Sequence, residues 1–148
     1  MTRMAWILLP VALAAGIVLP VQFGVNSKLR TFVGGPLAAA AISFVVGAVA
    51  LAVAALVVQR SLPGSVASAP WWAWTGGLLG AFFVLASIIL TPRLGAATTI
   101  GLILTGQVLA SIVIDHFGLI RVPVHEASLP RIIGALLIVA GVVMVQRF

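Results

Sequence analysis

All ten charged residues of the chain stand at or beyond the ends of long apolar runs, and none falls in the middle of one. That placement constrains the fold more than any motif. A run of about 20 apolar residues, rising 1.5 Å per residue as a helix, matches the roughly 30 Å of hydrocarbon in a bilayer. In lipid a helix also satisfies its own backbone hydrogen bonds, which few other structures can do. Five such runs predict five transmembrane helices, over about 4–26, 36–58, 71–90, 94–114 and 130–145. A water-soluble fold fails on composition: 63% of the 148 residues are hydrophobic and 7% are charged, against about 25% charged in soluble domains. So short a chain would leave roughly 30% of its surface exposed with little polar material to cover it. The expected fold is all-α and integral to the membrane, a single transmembrane domain over 1–148 with no globular part outside the bilayer.

Local signals set the span boundaries. Pro10 and Pro20 interrupt the first run but are tolerable where neighbouring helices or side chains satisfy the freed carbonyls. Pro36 suits the first turn of the second helix, where its missing N–H would be unpaired anyway. Gln59, Arg60 and Pro63-Gly64-Ser65 stop that helix. Trp71, Trp72 and Trp74 open the third at the headgroup boundary, where indoles concentrate, and Thr91-Pro92-Arg93 follows it. A polar loop from Asp115 to Leu129 separates the fourth and fifth spans. Arg3, the apolar run and the small residues Ala12 to Gly16 imitate a secretory signal. The run continues to Val25, however, and reads as a first span.

With no Cys and no polar low-complexity tract, disulfide scaffolds, thiolate metal sites and disorder are excluded. A net charge of +6 spread this thinly is not the clustered basic face of a nucleic-acid binder. No nucleophile–base pair, phosphate loop or dinucleotide fingerprint is present. Gly76-Gly77-x-x-Gly80 lies inside an apolar helix, without the strand and turn such a motif requires. Two His and two acids scattered over a helix end and a loop make a poor metal site. The expectation is a protein that is not an enzyme and needs no metal or cofactor.

Lys and Arg in short loops normally choose the orientation. Here Arg3, Arg60, Arg121 and Arg131 fall on one face, and Lys28, Arg30, Arg93 and Arg147 on the other, a four-to-four tie. Neither orientation is favoured, so the chain is expected to insert both ways. Five helices are few to enclose a solute pathway. An antiparallel homodimer would supply ten, related by a two-fold axis in the membrane plane, as in transporters built from inverted repeats.

Polar residues within spans tend to face a bundle interior or a cavity. Gln22 and Asn26 are one turn apart, with Arg30 continuing their line. Gln107, Ser111 and Asp115 repeat that spacing in the fourth helix, beside Thr98, Gly101 and Thr105. Gln22, Asn26 and Gln107, whose amides each need several partners, are expected to line a cavity and contact substrate. Thr98, Thr105 and Ser111 read first as hydrogen-bonding glue between helices, although Ser111 shares the Gln107 stripe and is kept in the cavity set. Gly76 with Gly80, Ser43 with Gly47, and Gly134 with Gly141 read as close-packing positions. The fifth helix, without internal polar residues, reads as scaffold or dimer contact and not as a pathway wall.

The two carboxylates, Asp115 and Glu126, avoid the midplane. A proton-coupled cation exporter needs a buried acid there, so a neutral, zwitterionic or weakly anionic solute fits better. Asp115 lies on the face opposite Lys28, Arg30 and Arg93, and in an inverted partner those cations would reach it. Lys28, Arg30, Arg93 and Asp115 are therefore expected at a gating interface between copies. His116, beside Asp115, joins that gating or interface set, either as a proton relay or as an interfacial cap or solvated residue, and His125 is expected to be solvated.

Several elements together resemble the YdcZ family. They are Pro20-Val21-Gln22-x-x-x-Asn26-x-x-Leu29-Arg30, Ser43-Phe44-x-x-Gly47, Gly76-Gly77-x-x-Gly80, Pro92-Arg93-Leu94-Gly95-Ala96, Gly106-Gln107, Ile114-Asp115-His116-Phe117-Gly118 and Arg131-x-x-Gly134. The resemblance covers nearly the whole chain. It implies a small five-helix protein of the bacterial inner (plasma) membrane, in the drug/metabolite transporter superfamily. It further implies an exporter or carrier working as an antiparallel homodimer or as paired, oppositely oriented chains, halfway between four-helix multidrug transporters and fused ten-helix relatives. It supplies no substrate. The first helix departs from the four-helix relatives in carrying Gln22 and Asn26 and no glutamate, which again points away from cation export.

The expected function is secondary transport of a small molecule by alternating access, with the bilayer and a second copy as partners and no nucleic acid. The alternatives are a small dual-topology ion channel and an accessory subunit packed against a larger membrane protein.

Overall fold

The computed structural model describes residues 3–58 and 68–148. It contains five long helices: α1 (Arg3–Leu29), α2 (Pro36–Val58), α3 (Gly76–Leu94), α4 (Ala96–Phe117) and α5 (Leu129–Arg147). All five are long and apolar enough to cross a membrane, α3 together with the 3-10 turn Trp71–Thr75 that leads into it. The stop expected at Gln59, Arg60 and Pro63-Gly64-Ser65 lies outside the described residues.

Three helix ends run well past expectation, and one of them is α4, which reaches Phe117, so that Asp115 and His116, expected to open the loop, stand in its last turn. α1 runs on to Leu29, which brings Lys28 into its last turn, and α3 runs through Thr91, Pro92 and Arg93 instead of ending at Leu90. Pro92 removes one hydrogen bond, the one its N–H would have given to the carbonyl four residues back. The helix absorbs that loss and continues to Gly95. There φ reaches 82°, a value a Cβ would oppose, and the helix breaks for a single residue before α4 begins.

The chain divides into two compact units, Met1–Arg93 and Leu94–Phe148. In the first, Ala39 and Ala40 of α2 meet Val84 and Ile88 of α3, with Leu29, Val33 and Phe83 packed around them. Small side chains on α2 let larger ones on α3 approach. Phe23 of α1 is 1% exposed and tilts its ring against Phe83, with centroids 5.7 Å apart. Such tilted pairs add to what burial alone contributes. Gly80 lies under the Phe44 ring, where a Cβ would stand 3.4 Å from Cζ.

In the second unit α4 and α5 pack against each other. They come close at Gly101, where a Cβ would lie 2.9 Å from Cγ2 of Val142. α4 is closed by Gly118 in the left-handed conformation, its N–H donating to the carbonyl of Ile114. Of the positions expected to mark close packing, Gly80 touches a neighbouring helix. Gly47, Gly76, Gly134 and Gly141 have open space where a Cβ would go. Spacing places small residues on one helix face, but which face meets a neighbour is decided by the rest of the helix.

Elsewhere the helices present large apolar side chains outward, among them Leu51 and Leu56 of α2, Leu78 and Phe82 of α3, and Leu136 and Leu137 of α5. Such a surface is stable only against lipid or another apolar face.

Candidate functional site

Gln22 and Ser43 are the polar residues of an otherwise apolar cleft in the first unit. Gln22 lines a space of about 290 Å³ with Ser43, Phe44, Gly47 and Leu51 of α2 and Val84 of α3. Gly47 keeps that space open by having no side chain. The volume is at the lower end of small-molecule pockets, roughly 300 to 1,000 Å³. One turn on, Asn26 is 4% exposed, and its Nδ2 has no hydrogen-bond partner among the described residues. A buried amide donor left unpaired costs about 1–3 kcal/mol.

Further buried hydroxyls occur in the same unit. Ser27 and Thr91 each hold a buried oxygen without a partner among the described residues. Ser87, fully buried, donates to the carbonyl of Val84 at 2.7 Å. Ser87 and Thr91 are not among the site residues expected from the sequence. They are four apart in α3, the same spacing that singles out Gln22 and Asn26, and that spacing could have found them.

Gln107 and Ser111 belong to the second unit. Gln107 is exposed, and Ser111 Oγ donates to its carbonyl at 2.7 Å, a bond within its own helix. Thr99 is fully buried and donates to the carbonyl of Gly95 at 2.7 Å. It had no place in the sequence-based set. Thr105 keeps a buried, unpartnered hydroxyl.

The gating candidates take up local contacts. Lys28 places its ammonium 5.4 Å from the centroid of Phe32, within cation–π range. Arg30 is half-buried, and Arg93 is exposed in the last turn of α3. Asp115 accepts from Arg131 of its own chain. A cation at Lys28, Arg30 or Arg93 of a second copy, the partner expected from the sequence, would have to compete with Arg131. Position 131 lies 16 residues away in sequence and becomes a neighbour only when the loop doubles back.

That loop is tightly fastened. His125 N–H donates to the Asp115 carbonyl at 3.0 Å, and Arg131 Nη1 donates to the His125 carbonyl at 3.0 Å. Ala127 N–H donates to Nδ1 of His116 at 3.2 Å. His116 thus meets the returning loop through its ring. His125, though exposed, sets its ring against the Pro123 carbonyl at 3.1 Å.

The family description "Putative inner membrane exporter, YdcZ" matches residues 7–144, which reach from α1 to α5. The chain belongs to the YdcZ family. A curated relative, "Inner membrane protein YdcZ" of Escherichia coli (strain K12), is 36% identical over 138 residues, covering 91% of each chain. No solved structure matches. Membership of the YdcZ family, with five helices able to span a bilayer, makes this a multi-pass protein of the bacterial inner membrane. It also supports a transport role, and the family is not one of enzymes.

Proposed function

We propose that the protein is a secondary transporter of small metabolites that works by alternating access as a dual-topology, antiparallel homodimer. The observation that carries this reading is the pairing of a polar cleft with an unsatisfied donor one turn away, Gln22 on the cleft wall and Asn26 Nδ2 buried and unpaired. A bundle gains nothing by burying an amide it cannot pair, whereas a substrate with acceptor groups would repay the cost on binding. Gln22, Asn26 and Gln107 from both copies contact the substrate. The helices around the cleft hold no carboxylate, so the substrate is neutral, zwitterionic or weakly anionic. The four-to-four tie of loop charges supports insertion in both orientations, and two inverted copies give the two alternately opening gates of such transporters.

The test is a thermal-stability screen of the purified protein against classes of metabolite. A ligand bound by the folded state alone raises the melting temperature by mass action. One neutral or zwitterionic class should stabilise the parent and fail to stabilise Gln22→Ala and Asn26→Ala. The same class should then show saturable counterflow in proteoliposomes. Stabilisation by cations only, stabilisation undiminished in both variants, or conductance far above carrier turnover would each overturn the reading.

A further inference from the structure

The second unit carries a groove of its own between α4 and α5. It holds about 300 Å³ and is walled by Val108 and Ile112 of α4 and by Gly134, Ala135 and Ile138 of α5, with Ser111 at one side and Arg131 at its mouth. From Arg131 to Ile138 it descends about 10 Å along α5, from the first turn of the helix toward the hydrocarbon. Two details keep it open and apolar. Residue 134 has no side chain and nothing within 4 Å of where one would start. The Ser111 hydroxyl is already committed to the Gln107 carbonyl, so the wall offers no free donor.

The mouth is different. Arg131 has five N–H donors, and its Nη1 and Nη2 each make one bond, to the His125 carbonyl and to Asp115 Oδ2. Its side chain remains 37% exposed. Asp115 Oδ1 has no hydrogen-bond partner among the described residues, and that side chain is 22% exposed. A free cationic donor and a free anionic acceptor therefore stand side by side above an apolar slot.

We propose that this groove binds one phospholipid of the surrounding bilayer, of the zwitterionic class whose headgroup joins a phosphate to a primary ammonium. The phosphate accepts from the unused Arg131 N–H groups, the ammonium donates to Asp115 Oδ1, and one acyl chain lies along Ile112, Gly134 and Ile138. Charge complementarity selects this occupant. An anionic headgroup would leave Asp115 facing a second negative charge, and a choline headgroup has no N–H to donate.

The experiment is native mass spectrometry of the full chain from micelles doped equally with phosphatidylethanolamine, phosphatidylcholine and phosphatidylglycerol of identical acyl chains. Phosphatidylethanolamine should be retained over the other two by roughly tenfold, the worth of one charge-assisted hydrogen bond. Asp115→Asn keeps the shape and removes the negative charge, so phosphatidylglycerol should overtake phosphatidylethanolamine. Gly134→Leu fills the slot without touching the Asp115–Arg131 pair and should abolish selective retention of any lipid. Equal retention of the three lipids by the parent, or undiminished phosphatidylethanolamine on Gly134→Leu, overturns the proposal. Because the chain has no cysteine of its own, Gly134→Cys gives a further check. Disulfide-linked pairs in the membrane would show a second copy covering the groove, and that too overturns it.

Discussion

Replacing Asn26 by leucine would remove a donor that is 4% exposed and unpaired and would keep the branching of the side chain, with two somewhat larger methyl groups that need no partner. Removing an unmet polar group in this way is close to neutral or stabilising. Asn26→Leu should therefore melt at or above the parent's temperature in detergent, by up to about 1 kcal/mol, while substrate transport is lost. A loss of stability greater than that, with transport retained, would make Asn26 a helix-joining residue and not a binding one. Ser87 offers the contrast at the same scale. Its hydroxyl already donates to a backbone carbonyl of its own helix, so it is satisfied without substrate and its role is in packing.

At the scale of elements, α4 and α5 meet where a glycine stands against a β-branched side chain. A Cβ at 101 would lie 2.9 and 3.0 Å from the two Cγ atoms of Val142, and valine has little rotamer freedom with which to retreat. Gly101→Ala should destabilise the α4–α5 pair by about 1–3 kcal/mol, as overpacking does. Adding Val142→Ala should restore most of it, read as recovery of the melting temperature in the double variant. The five spans are legible in the sequence because bilayer thickness alone sets how long an apolar run must be. The contacts between them are not. Gly134 and Gly141 have a proper packing spacing and open space around them, whereas Gly101, which by its spacing belongs to a polar strip, is the glycine of α4 that stands against α5. The Asp115–Arg131 pair was hidden for a related reason. Nothing in the spacing of those two residues says that the loop between them folds back through His125 and Ala127. The Gln22–Asn26 line was visible because both residues sit on one helix, where separation in sequence alone determines which face they share.

For the molecule as a whole, the loop charges are balanced so closely that one residue should tip them. Glu126 lies in the loop on the face that holds Arg121 and Arg131, and Lys and Arg count toward orientation where acids contribute little. Glu126→Lys makes that face the more positive by one and should hold it in the cytoplasm, which sends the C-terminus to the other side. A C-terminal fluorescent reporter active only in the cytoplasm should fall toward zero in this variant, and an extracytoplasmic reporter should rise. In the parent both should give signal. A parent with one active reporter would remove the case for a homodimer of inverted copies.

The tryptophans break the symmetry that the charges preserve. Trp6 stands near the start of α1, and Trp71, Trp72 and Trp74 form the turn that leads into α3. Successive spans alternate in direction, so all four of the chain's indoles gather at one end of the helices, and Trp6, Trp71 and Trp74 are well exposed there. The intrinsic fluorescence of the protein is thus a compass needle fixed to one pole of each copy. In sealed vesicles of a population inserted both ways, an ionic quencher that cannot cross the bilayer would darken about half of the emission and leave the other half untouched until the vesicles are opened.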